Sequence, residues 1–178
     1  MTTQELELGH RLHTLGNDVD FLETSRVRRV DYNASLDLRP SDRLRMSATY
    51  ASTSFTRRSN DERSAFARIP RLKVEYQLAR PLFVRAVSQY TATRREALLD
   101  PRTGSVIVFG SSGPSRLSAS NTLRTDWLIS YRPAPGTVLF LGYGGNLVEE
   151  DPLSFSRLRR TADALFVKGS YVLRSPVW

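Results

Sequence analysis

Apolar and polar residues alternate one by one along most of the chain. Val30, Tyr32, Ala34, Leu36 and Leu38 interleave with Asp31, Asn33, Ser35 and Asp37. Leu72, Val74, Tyr76 and Leu78 interleave with Arg71, Lys73, Glu75 and Gln77. The same period runs through Leu123, Thr125, Trp127, Ile129 and Tyr131, and through Leu165, Val167, Tyr171 and Leu173. Looser versions occupy Glu5–Leu12, Leu44–Phe55, Leu82–Thr93 and Val138–Val148. A period of two is that of a strand with one apolar and one polar face, whereas helical spacing is scarce here. The pattern predicts an all-β chain: an antiparallel up-and-down meander of about eight strands.

The connections alternate as well. Arg39–Arg43, Ala79–Pro81 and Pro133–Thr137 are short and hold prolines, which preset φ and cannot continue a ladder. Between them lie longer polar stretches, expected over His13–Arg26, Arg57–Arg63, Arg94–Ser120 and Glu149–Ala162. Short turns therefore fall at one end of the meander and long loops at the other, as in transmembrane barrels. The segments reach the ~9–11 residues that a tilted membrane strand needs. The chain reads as one domain over residues 1–178, with a long loop over 94–120 that holds a small hairpin around Val106–Phe109. Pro70, inside the Ala65–Ala79 segment, is expected at a bulge or on an edge strand.

Composition narrows the class. The longest apolar runs, such as Val106–Phe109 and Val138–Leu141, have four residues, far below the ~20 of a spanning helix. Seventeen aromatic residues (eight Phe, seven Tyr, two Trp) argue against disorder. The chain has no cysteine, which excludes disulfides, thiolate metal sites and thiol nucleophiles. The formal charge is +8, and 24 of the 26 basic residues are arginine. The first residues carry no apolar secretory core.

The polar face mixes both signs strand after strand: Glu7, Arg11, Asp31, Asp37, Arg45, Arg71, Lys73, Glu75, Arg85, Arg124, Asp126, Lys168 and Arg174. Such residues suit a wet lumen laced by cross-strand ion pairs, and Ser130 is expected beside them. Tyr32, Tyr50, Tyr76, Tyr90, Trp127, Tyr131 and Tyr171 share the apolar face with Leu36, Val74, Ile129 and Val167. Membrane barrels set such rings in interfacial girdles facing lipid, while core tyrosines would each need a buried hydroxyl partner. The expected location is the bacterial outer membrane, with the bilayer and lipopolysaccharide as partners.

A resemblance points the same way. The chain carries Ala97-Leu98-Leu99-Asp100-Pro101-Arg102-Thr103-Gly104, then Leu123–Pro133, Gly136–Leu141 and Phe166–Tyr171. In that order these stretches resemble the C-terminal region of domain of unknown function family 5916. Its members look like outer-membrane β-barrels that follow an N-terminal domain similar to carbohydrate-binding family 9. The resemblance covers roughly the last 80 residues. It implies that this chain is the C-terminal part of a larger barrel and meets carbohydrate through a domain not present here. Separately, the amphipathic final strand Leu165–Arg174, with Trp178 close by, resembles the recognition signal of outer-membrane barrels, so the barrel-assembly machinery is an expected partner.

No motif points to catalysis, and no cofactor is expected. His10 and His13 project to opposite faces of a strand and cannot share a metal. Asn17-Asp18-Val19-Asp20 lacks the spacing of a calcium loop and reads as solvated acid. Asp100–Gly104 is a turn. Gly142-Tyr143-Gly144-Gly145 lacks the Lys-Ser/Thr of a phosphate loop and reads as room for a large side chain to cross the strand. The arginines around Arg26–Arg29 and Arg157–Arg160 are short loop clusters suited to lipopolysaccharide phosphates and not to nucleic acid. The sequence thus reads as an outer-membrane barrel segment of transport-like or structural role. A soluble barrel enclosing an apolar ligand is the alternative, as is the barrel part of a hydrolase acting on surface glycans.

Overall fold

The computed structural model describes residues 5–151, 155 and 157–172, with the side chains of residues 5 and 14–17 left aside. Its strands are β1 (Glu5–Asp20), β2 (Ser25–Ser41), β3 (Leu44–Arg57), β4 (Arg63–Ala79) and β5 (Leu82–Arg95). They continue with the two-residue β6 (Val108–Phe109) and β7 (Gly113–Pro114), then β8 (Ser118–Ala134), β9 (Thr137–Glu149) and β10 (Arg159–Ser170). Eight of them form one antiparallel sheet in the order β1-β2-β3-β4-β5-β8-β9-β10, and β6 and β7 pair as a separate hairpin. Among the described residues there is no α-helix, only a 3-10 turn at Gly110–Ser112. The chain is all-β, and its main sheet is a meander of eight antiparallel strands.

The three short turns are where the prolines and glycines put them. Asp42–Arg43, Arg80–Pro81 and Pro135–Gly136 each connect neighbouring strands with two residues. Gly136 has φ +85°, open to glycine at little cost. At the opposite end the expectation needs correcting. His13–Arg26 is no long loop: β1 runs on to Asp20, and a four-residue turn, Phe21–Thr24, leads into β2. Gly16-Asn17 resembles a turn in sequence, but the ladder absorbs it as an irregularity between Leu15 and Asp18. The β3–β4 connection is Arg58–Glu62, closed by Arg57 N–H donating to Glu62 O at 2.8 Å.

The connection from Glu96 to Leu117 holds two successive hairpins. In the first, Leu99 bridges Val106 around the Asp100–Gly104 turn. Gly104 N–H donates to Asp100 O at 2.8 Å with φ +70°, and Asp100 Oδ1 accepts from Arg102 N–H at 2.7 Å. The second is β6–β7.

Pro70 lies in neither of its expected settings. β4 is an interior strand, and its register with β5 is unchanged on either side, from Arg68↔Ala92 to Arg71↔Gln89. The proline, lacking an N–H, interrupts that ladder without shifting it.

Register assigns the faces. One row crosses all eight strands as Leu6, Leu38, Met46, Val74, Ala86, Trp127, Tyr143 and Leu165. The adjacent row, on the opposite face, reads Glu7, Asp37, Ser47, Lys73, Val87, Asp126, Gly144 and Ala164. Buried apolar side chains among the described residues are Val27, Ala65, Tyr90, Ala92 and Leu98, gathered toward the long-loop end. The apolar face itself lies open: Leu8 is 75% exposed, Leu165 70% and Trp127 53%. Charges of the other face, among them Glu7, Arg45, Arg85 and Arg124, are exposed as well.

Candidate functional site

The polar face carries the chemistry. By register, Glu7, Arg11, Asp31, Asp37, Arg45, Arg71, Lys73, Glu75, Arg85, Arg124, Asp126 and Lys168 fall on one side of the sheet. Arg174 lies outside the described residues. Tyr32, Leu36, Tyr50, Val74, Tyr76, Tyr90, Trp127, Ile129, Tyr131 and Val167 share the other side. Tyr171 lies one residue past the last paired position, Ser170↔Val138.

At the long-loop end this face is closed by a buried ion pair. Arg57, at the end of β3, and Glu23, in the β1–β2 turn, have side chains 5% and 1% exposed. Arg57 Nε donates to both Glu23 oxygens at 3.0 and 3.1 Å, and Nη2 to Oε1 at 2.5 Å. Their spare capacity grips the long connection: Arg57 Nη2 donates to Ala97 O at 2.8 Å, and Leu99 N–H donates to Glu23 Oε1 at 3.2 Å. Hydrogen bonding to Glu23 raises the Arg57 pKa, and burial only partly opposes it. Beside them Arg95 meets the nearly buried Asp20 at 2.6 Å. Asp18 faces Arg29 at 3.4 Å. The acids expected to be solvated are therefore committed to arginines, which is the correction at Asn17–Asp20. Sequence reading missed Glu23 and Arg57 as partners: 34 residues separate them, and each alone looks like an ordinary loop charge.

Farther along the face, Arg29 pairs with Asp31 at 2.8 Å, and the Thr53 hydroxyl donates to Asp31 at 2.6 Å. Next comes a basin of about 740 Å³. Its basic wall is Arg71, Lys73, Arg85 and Arg124, and the far side from β9 and β10 mixes small residues such as Gly144 and Ala164 with Tyr143, Asp163 and Phe166. Lys73 is paired with Glu75 at 3.2 Å and Arg124 with Asp126 at 3.0 Å. Among the described residues Arg71 and Arg85 make no ion pair.

The glycines of β9 do what small residues were expected to do. The Phe166 ring of β10 lies over Gly142, where a Cβ would collide with it. Gly144 has Asp126 Oδ1 3.1 Å from where a Cβ would stand.

Two residues depart from their expected surroundings. Ser130 is on the polar face but 2% exposed, and its hydroxyl has no partner among the described residues. It is packed, not wetted, because bulky neighbours (Phe83 on β5, Phe140 on β9) stand opposite it. Tyr90 is on the apolar face but 3% exposed. The Phe155 ring covers it with centroids 5.3 Å apart, and its hydroxyl donates to Glu149. Phe155 comes from the β9–β10 connection, which strand periodicity does not read.

His10 stands opposite Ala34 and His13 opposite Asp31, on different faces as expected. Among the described residues no group of three or more His, Asp or Glu is arranged to hold a metal. Comparison with known proteins finds no matching family model, no similar curated protein and no similar solved structure.

Proposed function

We propose that the sheet is the wall of an outer-membrane β-barrel, with the apolar face on lipid and the polar face on the lumen. The role is transport-like or structural. The observation that carries this reading is the apolar face, exposed and continuous over eight strands, behind a polar face of mixed charges, several of them paired. On β2, β4, β8 and β9 the apolar stretch is nine residues, at Val30–Leu38, Pro70–Leu78, Leu123–Tyr131 and Leu139–Leu147. That matches the ~9–11 residues of a tilted spanning strand. Tyrosines mark two levels of it: Tyr32 and Tyr50, with ring centroids 6.1 Å apart, toward the long loops, and Tyr76 and Tyr131 toward the short turns. Interfacial belts have that form. The resemblance to family 5916 is part of the same proposal, and with it lipopolysaccharide and the barrel-assembly machinery as partners.

Among the described residues, β1 and β10 each pair on one side only. An open edge is not tolerated in hydrocarbon, so in the membrane both edges find strand partners. An eight-strand closure would fill its interior with side chains. The 178-residue chain by itself then forms no open channel in either arrangement.

One observation favours the soluble reading. Leu8, Leu36, Leu72, Leu123, Tyr50 and Phe155 line a groove of about 460 Å³ on the apolar face, able to take an apolar ligand. Expression with a secretory leader, followed by membrane fractionation, separates the two. The membrane reading expects the chain in the outer-membrane fraction, resistant to carbonate extraction and migrating differently on gels before and after heating. Recovery as a soluble periplasmic monomer refutes it. Large, stable conductance from the isolated chain in planar bilayers refutes the closed-interior part.

A further inference from the structure

We infer that the basin on the polar face binds a ligand carrying two or more phosphoryl groups. The inference rests on the residue cluster and is independent of the membrane reading. Arg71 and Lys73 alternate on β4 and so project to the same side. Gln89 stands between Arg71 and Arg124 in the row, and Val87 between Lys73 and Asp126. Arg85 is two residues before Val87 on β5, diagonal to Lys73. With neighbouring strands ~4.8 Å apart and a rise of ~3.4 Å per residue, Arg71 lies about 7 Å from Lys73 and about 10 Å from Arg124, and Arg85 lies about 8 Å from Lys73 and about 14 Å from Arg71 and Arg124.

Like charges this close destabilise a sheet, and the chain relieves only half of the group. Glu75 takes Lys73 and Asp126 takes Arg124, while Arg71 and Arg85 make no ion pair among the described residues, although Glu75 stands directly opposite Arg85. Elsewhere on the same face the chain does supply acids to its arginines, as at Arg29, Arg57 and Arg95. Arg11, Arg45 and Lys168 on this face make no ion pair among the described residues either, so what sets the basin apart is that four cations line one cavity.

Its shape agrees with a ligand. Opposite the cations, Gly144, Ala162 and Ala164 leave room beside Tyr143, Asp163 and Phe166. Cations reaching in from three strands match a tetrahedral group with several acceptor oxygens better than a planar carboxylate, which a single guanidinium fork satisfies. Arg71 and Arg85 supply the free forks; Lys73 and Arg124 join by exchanging their present acids for the ligand.

The test is calorimetric titration of the full chain, folded in a zwitterionic detergent, with inorganic tripolyphosphate and separately with bis-phosphorylated lipid A in mixed micelles. Wild-type protein is expected to bind tripolyphosphate at one site, and Arg71→Gln/Arg85→Gln to weaken it about tenfold or more. Arg45→Gln, on the same face outside the basin, should leave binding within about twofold. A tenfold loss for tripolyphosphate identifies a soluble ligand, and one confined to lipid A identifies a lipid headgroup. Both outcomes uphold phosphoryl recognition. Absence of binding to either probe, or equal weakening by Arg45→Gln, overturns it. Thermal melting without ligand guards against misfolding: relief of repulsion should leave the double variant at least as stable as wild type. A lowered melting temperature would show that these cations serve the fold, and would also overturn the inference.

Discussion

Replacing Glu23 by glutamine should be among the most damaging single substitutions on the polar face. The change keeps the size of the side chain and its acceptor toward Leu99 N–H, so it removes charge and little else. Left behind is the Arg57 guanidinium, 5% exposed, with Ala97 O at 2.8 Å and the exposed Glu62 at 4.0 Å as its remaining partners. Removing one partner of a buried pair costs about 3–5 kcal/mol, because the other charge stays buried without compensation. Arg57→Met should cost a similar amount, by leaving the Glu23 carboxylate, among the described residues, with Ser25 Oγ at 3.3 Å and Leu99 N–H. The double variant removes both charges, so its loss should be well below the sum of the two. Urea unfolding in detergent micelles, followed by tryptophan fluorescence, measures all four corners of the cycle. With slopes of about 1–3 kcal/mol per molar urea, each single change should move the midpoint by a molar or more. Single losses under about 1 kcal/mol, or additivity within about 0.5 kcal/mol, would show that the pair is not the clasp described.

Ile129→Arg, on the exposed apolar face, should cost roughly 2–4 kcal/mol when the chain is folded in lipid bilayers. Ser47→Arg, opposite Asp37 on the polar face, should be nearly neutral in the same assay, and equal losses would refute the assignment of faces. Gly142→Ala should cost about 1 kcal/mol, because the Phe166 ring must leave its seat. Combining it with Phe166→Ala should cancel most of that interaction in a cycle of melting temperatures. Gly136→Ala places a Cβ at φ +85° and 2.8 Å from the Val172 side chain. A loss of at least about 1 kcal/mol is expected, with faster amide exchange confined to the β8–β9 hairpin.

Much of the fold was legible because a strand advertises itself within a few residues. Alternation marked the eight long strands, and Pro and Gly marked the three two-residue turns at Asp42, Arg80 and Pro135. Once those are placed, antiparallel neighbours must pair, and register follows from turn length. The partition of polar and apolar residues between the faces comes from the same period, since register carries strand alternation across the sheet. The long-loop end was less legible. Gly16-Asn17 has turn chemistry but sits inside β1, since a strand tolerates an irregularity whose flanks remain paired. Pro70 resembled an edge signal, yet β4 is interior and forgoes a stretch of its ladder with β5.

Local pattern by itself determined which residues are strand, where the chain reverses and which side chains share a face, because these depend on neighbours one to five positions away. Tertiary structure alone decided which charges meet. Glu23 and Arg57 are 34 residues apart, Asp20 and Arg95 are 75 apart, and Tyr90 reaches Glu149 across 59. It also decided that Ser130 is buried while Ile129, its neighbour, lies open. It gathered cations of β4, β5 and β8, from Arg71 to Arg124, around one basin. Coulomb energy depends on distance in space, and distance in space along a meander is set by register and not by separation along the chain.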